Sequence, residues 1–201
     1  MSNFGIANLA AVLSVGCYAV AIACLIGLEA PLDMRTRLGG AVSDHANGPR
    51  PGLFLGYALA GMGGAAGLAL AEAASGLFPF WAWASLAAMA VLRIGIVAFR
   101  TGDGSETRAA ESRLHLVFAV LTFALAYRAV SAGTPAARAI FGANAGSLLA
   151  ALDWVATAAL FGVVACLLIA PLRRWFGLAE RAFLFSTLLW FALVALCLTT
   201  I

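Results

Sequence analysis

Reactive chemistry needs ionisable groups at usable spacings, and this chain gathers most of its candidates in one stretch. Arg100 to His115 reads Arg-Thr-Gly-Asp-Gly-Ser-Glu-Thr-Arg-Ala-Ala-Glu-Ser-Arg-Leu-His and carries six charged residues, in a chain with twelve basic and nine acidic ones. Glu111 and His115 are four apart, so on a helix they share a face and can pair. Asp103-Gly-Ser-Glu106 has the form of a capping box that starts a helix running through Glu111. Asp103 and His115, twelve residues apart, would then stand about 18 Å apart along the axis. They share a site only if residues 101–110 fold back. Elsewhere Asp44 and His45 adjoin in a polar loop, Arg93 interrupts an apolar run, and Arg181 opens another. An imidazole is a ready base or ligand near neutral pH, and an arginine fork suits a phosphate. Asp44, His45, Arg93, Asp103, His115 and Arg181 are therefore the candidate ligand-binding residues, and no residue is assigned a catalytic role.

Other chemistries are excluded by what the chain lacks. There is no lysine, hence no phosphate-loop lysine, no Schiff base and no lysine general base. There is no Gly-x-Ser-x-Gly nucleophile elbow. Cys17, Cys24, Cys166 and Cys197 all fall in apolar runs with no Cys-x-x-Cys, which reads as small hydrophobes. His45, His115 and a carboxylate could supply three metal ligands, but no local spacing supports such a site, and a bis-histidine haem is weaker still. The expectation is no metal and no cofactor. No basic, aromatic-interleaved patch suits nucleic acid.

The elements that must position these groups follow from composition. Hydrophobic residues make up 64% of the chain and charged ones 10%, against roughly 45–50% and about 25% in soluble domains. A soluble protein of this size could not bury that much apolar surface. Apolar runs of seventeen or more residues predict an all-α integral membrane bundle of six transmembrane helices, near residues 4–28, 52–71, 80–99, 114–130, 148–170 and 182–201. The runs are apolar on all sides, so a β-barrel with alternating strands is excluded. Leu-Ser-Val-Gly-Cys17 lacks a basic segment before it and is not read as a lipoprotein signal. One domain is expected, with a polar loop at Asp33–Pro51 and a small-residue loop at Ser131–Ser147. In that second loop Ala136–Phe141 is expected to form a short surface helix.

Span two is dense in glycine, and Gly63-x-x-x-Gly67 lets a neighbouring backbone approach closely. Packing within one chain is the ordinary outcome of that spacing, and a homo-oligomer through this span is the alternative. Trp81 and Trp83 open span three and suit an interfacial belt. Arg93 is expected to snorkel to the Arg100 end or to pair with a carboxylate such as Glu29, rather than to serve transport.

Orientation comes from arginine. Six spans put loops one, three and five on one side, with nine arginines (35, 37, 50, 100, 108, 113, 173, 174 and 181), while Arg128 and Arg138 face the other. Positive loops stay in the cytoplasm, so both termini are expected outside it. Both histidines and most carboxylates then share the cytoplasmic pole.

The Asp after span three, the His opening span four, and Gly177-Leu-Ala-Glu-Arg181 leading into a last span with Leu-Leu-Trp-Phe-Ala-Leu together form a pattern. With Val42-Ser43-Asp44 before a glycine-rich span, it resembles a bacterial six-span family catalogued as domain of unknown function 998. That family is related to the eukaryotic damage-regulated autophagy modulators. The resemblance implies a bacterial inner (plasma) membrane protein and a role in membrane lipid organisation, with no established activity. The expected function is binding of a lipid headgroup or a partner at the cytoplasmic pole. A lipid hydrolase or transferase using His115 is the alternative. A small-solute transporter ranks third, because no span shows a Gly/Pro break flanked by buried charge.

Overall fold

The computed structural model describes residues 3–99 and 106–201, and for residues 3 and 106–110 the backbone alone. The described residues form helices and connections with no strand. Six long helices carry the fold: α1 (Asn3–Glu29), α3 (Pro51–Ser75), α4 (Phe80–Ala98), α5 (Glu106–Ile140), α6 (Gly142–Leu168) and α7 (Phe176–Leu198). A short α2 (Met34–Gly39) and two 3-10 helices, Val42–Asn47 and Ala170–Trp175, lie at the connections. All six long segments are long and apolar enough to cross a membrane. Large apolar side chains face outward, with Trp154 76% and Phe161 70% exposed. Such surface is stable against lipid and not against water.

Each long helix packs on the next, and α7 closes the ring on α1. α7 is the most enclosed, burying Phe183, Trp190, Phe191 and Val194. α1 and α3 lie close because glycine removes the obstacle: a Cβ on Gly63 would press on Cys17 Sγ, and one on Gly67 on the Ala10 carbonyl. The Gly63-x-x-x-Gly67 spacing thus serves packing within the chain.

Two connections differ from expectation. Ser131–Ile140 is not a loop with a short surface helix; it continues α5, which runs unbroken to Ile140 with Pro135 inside it. Alanine is the best helix former, and the turn is well tied. Thr134 donates to the Val130 carbonyl at 2.8 Å, and Trp190 Nε1 donates to Thr134 Oγ1 at 3.1 Å. Pro135 and Ser131 are both exposed, so the carbonyl deprived of its donor is on an open face. The chain reverses only at Gly142, whose φ is +76°, a left-handed conformation favoured by glycine. Arg128 accordingly sits within α5, and its guanidinium lies 4.4 Å from the centroid of the Trp81 ring, a cation–π contact. The first polar loop is likewise more ordered than a loop. Asp33 caps α2 by accepting from Thr36 N at 2.7 Å, and that bond holds its carboxyl below the usual range.

Candidate functional site

The arginine-rich pole contains two separate arrangements, a clasp and a chamber. The clasp closes on the end of α1. Glu29 accepts from Arg181 Nε at 2.6 Å and faces His45 Nε2 at 3.4 Å. Arg181 Nη1 also donates to the carbonyls of Arg37 at 2.9 Å and Gly40 at 2.7 Å. A Cβ on Gly177 would occupy the space of that guanidinium and of the Gly40 carbonyl, so glycine is what lets loop one sit on α7. Arg37 donates to the Glu29 carbonyl at 3.0 Å, and Arg50 to the Gly27 carbonyl at 3.0 Å. Cations at a helix C-terminus satisfy its last carbonyls and oppose its dipole. Asp44 is exposed and turns its carboxylate to its own backbone, accepting from Ala41 N at 3.1 Å. Of the residues singled out in the sequence, His45 and Arg181 thus belong to the clasp, while Asp44 caps its own short helix.

The chamber lies between α3, α4, α5 and α7, where Arg93 and His115 line one partly open cavity of about 60 Å³. That is well above the roughly 10–15 Å³ a single water requires. Arg93 does not snorkel and does not pair with Glu29, whose carboxylate is engaged in the clasp. It is buried instead, with its guanidinium carbon 5.5 Å from the Tyr57 ring centroid. A Cβ on Gly61 would overlap Arg93 Nη1. The side chain can turn inward because α3 offers a bare backbone at that level.

His115 is buried and its Nδ1 donates to the Phe99 carbonyl at 2.7 Å. A carbonyl only accepts, so Nδ1 carries the hydrogen. Nε2 is then an acceptor in the neutral ring and a donor in the charged one. Glu111 is exposed, so His115 is held by the α4 end rather than by a carboxylate on its own helix. Asp103 and its capping box lie outside the described residues.

Eight buried side-chain polar atoms among the described residues have no hydrogen-bond partner, and four of them belong to residues lining the chamber. These are Arg93 Nε and Nη1, His115 Nε2 and Thr122 Oγ1. Each buried unpaired group costs about 1–3 kcal/mol, so their gathering around one cavity marks a place for an outside partner. The rest of the wall is mostly apolar, including Phe54, Phe123, Leu184 and Phe191. Glu180 adds a carboxyl, one oxygen of which accepts from Val42 N at 2.7 Å.

A wider groove of about 460 Å³ adjoins the chamber between α5, α6 and loop one. Ser43, His115, Ala119, Phe123 and Glu180 line both spaces, which are therefore neighbours. Its polar end has Ser112 and Arg113, and its other end has Leu116, Val120, Val163 and Leu167. Leu116 and Val120 are half-exposed on the outer face of the bundle.

Arg93 and His115 thus line one cavity, His45 and Arg181 serve the clasp, and Asp44 joins neither. Thr122, Glu180 and Ser43 were missed in the sequence, where nothing in their spacing points to a shared cavity. Glu72 was missed too: it is fully buried in α3 with neither carboxylate oxygen partnered. A carboxylate one residue past the expected end of span two was its signal. Among the described residues no cluster of three or more His, Cys, Asp or Glu is placed to hold a metal. No family model matches the chain, and neither does any curated protein or solved structure.

Proposed function

We propose that this multi-pass membrane protein binds the phosphate-bearing headgroup of a membrane lipid in the Arg93–His115 chamber. The observation that carries this reading is that Arg93, Thr122 and His115 line one cavity while four of their buried polar atoms, Arg93 Nε and Nη1, Thr122 Oγ1 and His115 Nε2, have no partner. Two guanidinium N–H groups and a hydroxyl suit anionic oxygens, and charge-assisted bonds to a guanidinium are strong. A lipid is favoured over a free anion because the adjoining groove is apolar and open on the lipid-facing side, where an acyl chain can lie along Leu116 and Val120. The sequence resemblance to a six-span family with lipid-handling relatives points the same way. In this reading the pole lies at the inner leaflet of a bacterial plasma membrane with both termini outside the cytoplasm, which the arginine split, nine to two, supports. The test is a phospholipid with a photoreactive acyl chain, cross-linked to the protein in vesicles. Adducts confined to the α5 and α6 segments lining the groove support the reading. Adducts spread evenly over the lipid-facing helices refute it.

A second reading has its own support. With Nδ1 fixed on the Phe99 carbonyl, neutral His115 presents Nε2 as a free base, and Ser43 lines the same spaces. A hydroxyl and an imidazole lining one cavity are the residue types that hydrolysis or transfer of a lipid ester uses. Release of fatty acid or headgroup by the pure protein, abolished in His115→Gln and Ser43→Ala, would establish it.

A further inference from the structure

We infer that the headgroup bound in the chamber is a zwitterion carrying an ammonium group beside its phosphate, as an ethanolamine phospholipid does; this rests on the headgroup reading above. The chamber is not purely cationic. Glu180 lines both the chamber and the groove, and a carboxylate has about four acceptor sites, of which the Val42 N–H takes one. Arg93 does not neutralise this carboxyl through Nε or Nη1, since neither atom has a partner. Arg181, its neighbour in sequence, is committed to Glu29 and two backbone carbonyls.

The site thus offers both donors and an acidic acceptor in a mostly apolar lining. A lipid bearing phosphate alone would meet the carboxyl as an unfavourable like charge. A phosphate with an attached primary amine matches both ends, its ammonium held by Glu180 and its phosphate by Arg93. A trimethylated amine has no N–H to give and is bulkier, so it fits this acceptor less well. The same side chain that ties loop one to α7 thereby reads the headgroup.

The experiment is calorimetric titration of the full chain in detergent with short-chain ethanolamine, choline and glycerol phospholipids of equal acyl length, and with soluble phosphoethanolamine. The ethanolamine lipid should bind about tenfold tighter than the other two lipids, the scale of one charge-assisted hydrogen bond. Glu180→Gln, which still accepts from Val42 N, should erase that preference, weakening the ethanolamine lipid and strengthening the glycerol lipid as the like charge goes. Equal binding of the three lipids, or a preference that survives Glu180→Gln, overturns the zwitterion inference while leaving the headgroup reading standing. Binding of none of the lipids overturns both. Phosphoethanolamine binding as tightly as its lipid would uphold the zwitterion and overturn the lipid as its source.

Discussion

The Arg93 guanidinium occupies the volume that a side chain on Gly61 would fill. One glycine on α3 thereby decides whether the arginine of α4 points into the bundle or away from it. Gly61→Ala should displace the guanidinium and close the chamber to an anion. Overfilling a packed core costs about 1–3 kcal/mol, so the variant should fold with a lower melting temperature and lose phospholipid retention. Retention at the wild-type level would show that Arg93 does not need this cradle.

The clasp is predicted to carry stability rather than ligand. Arg181→Ala leaves Glu29 buried without its main partner, and breaking such a pair costs about 3–5 kcal/mol. Glu29→Gln keeps an acceptor for Arg181 and should cost less. Melting in detergent decides the order, and equal losses for the two variants would contradict it. Neither change should alter headgroup selectivity, because neither residue lines the chamber.

Glu72 gives the opposite expectation. Its carboxylate oxygens have no partner to lose, so Glu72→Leu removes an uncompensated polar group from α3. Apolar replacement of buried charge is often neutral or stabilising by about 1–4 kcal/mol. A melting temperature at or above that of the parent is expected. A marked loss would mean that this carboxyl has a partner or a task in the bundle.

Orientation is tested by reporters. A fusion after Ile201 should report the non-cytoplasmic side, and one inserted between Arg100 and Arg113 the cytoplasmic side. The reverse pattern would turn the chamber to the outer leaflet and remove the support that the arginine split lends.

The class of fold was legible because a bilayer demands long apolar helices, and runs such as Leu148–Ala170 cannot be read otherwise. The extension of α5 was not legible. Ser131–Ile140 has the small and polar residues of a loop, and what keeps it helical is tertiary, the Trp190 bond to Thr134. Glu72 escaped notice because apolar-run reading stops at the first charge, while the helix continues to Ser75. Arg93 and His115 stood out as polar residues in apolar company. Their surroundings did not: Gly61, Thr122 and Glu180 come from three different helices, and only packing brings Gly61 against Arg93 and the other two to the cavity. The arginines of the first loop read as topological signals, yet Arg37 and Arg50 also tie off the carbonyls ending α1.

The central claim is that Arg93, whose Nε and Nη1 have no partner in the protein, holds a lipid phosphate. Titration of a short-chain ethanolamine phospholipid into the parent protein and Arg93→Gln, beside melting curves of both, tests it most directly. The account predicts affinity lowered about tenfold or more by loss of the charge-assisted bonds, with a melting temperature maintained or raised because an unpaired buried charge has gone. Unchanged affinity in a folded Arg93→Gln variant would contradict it.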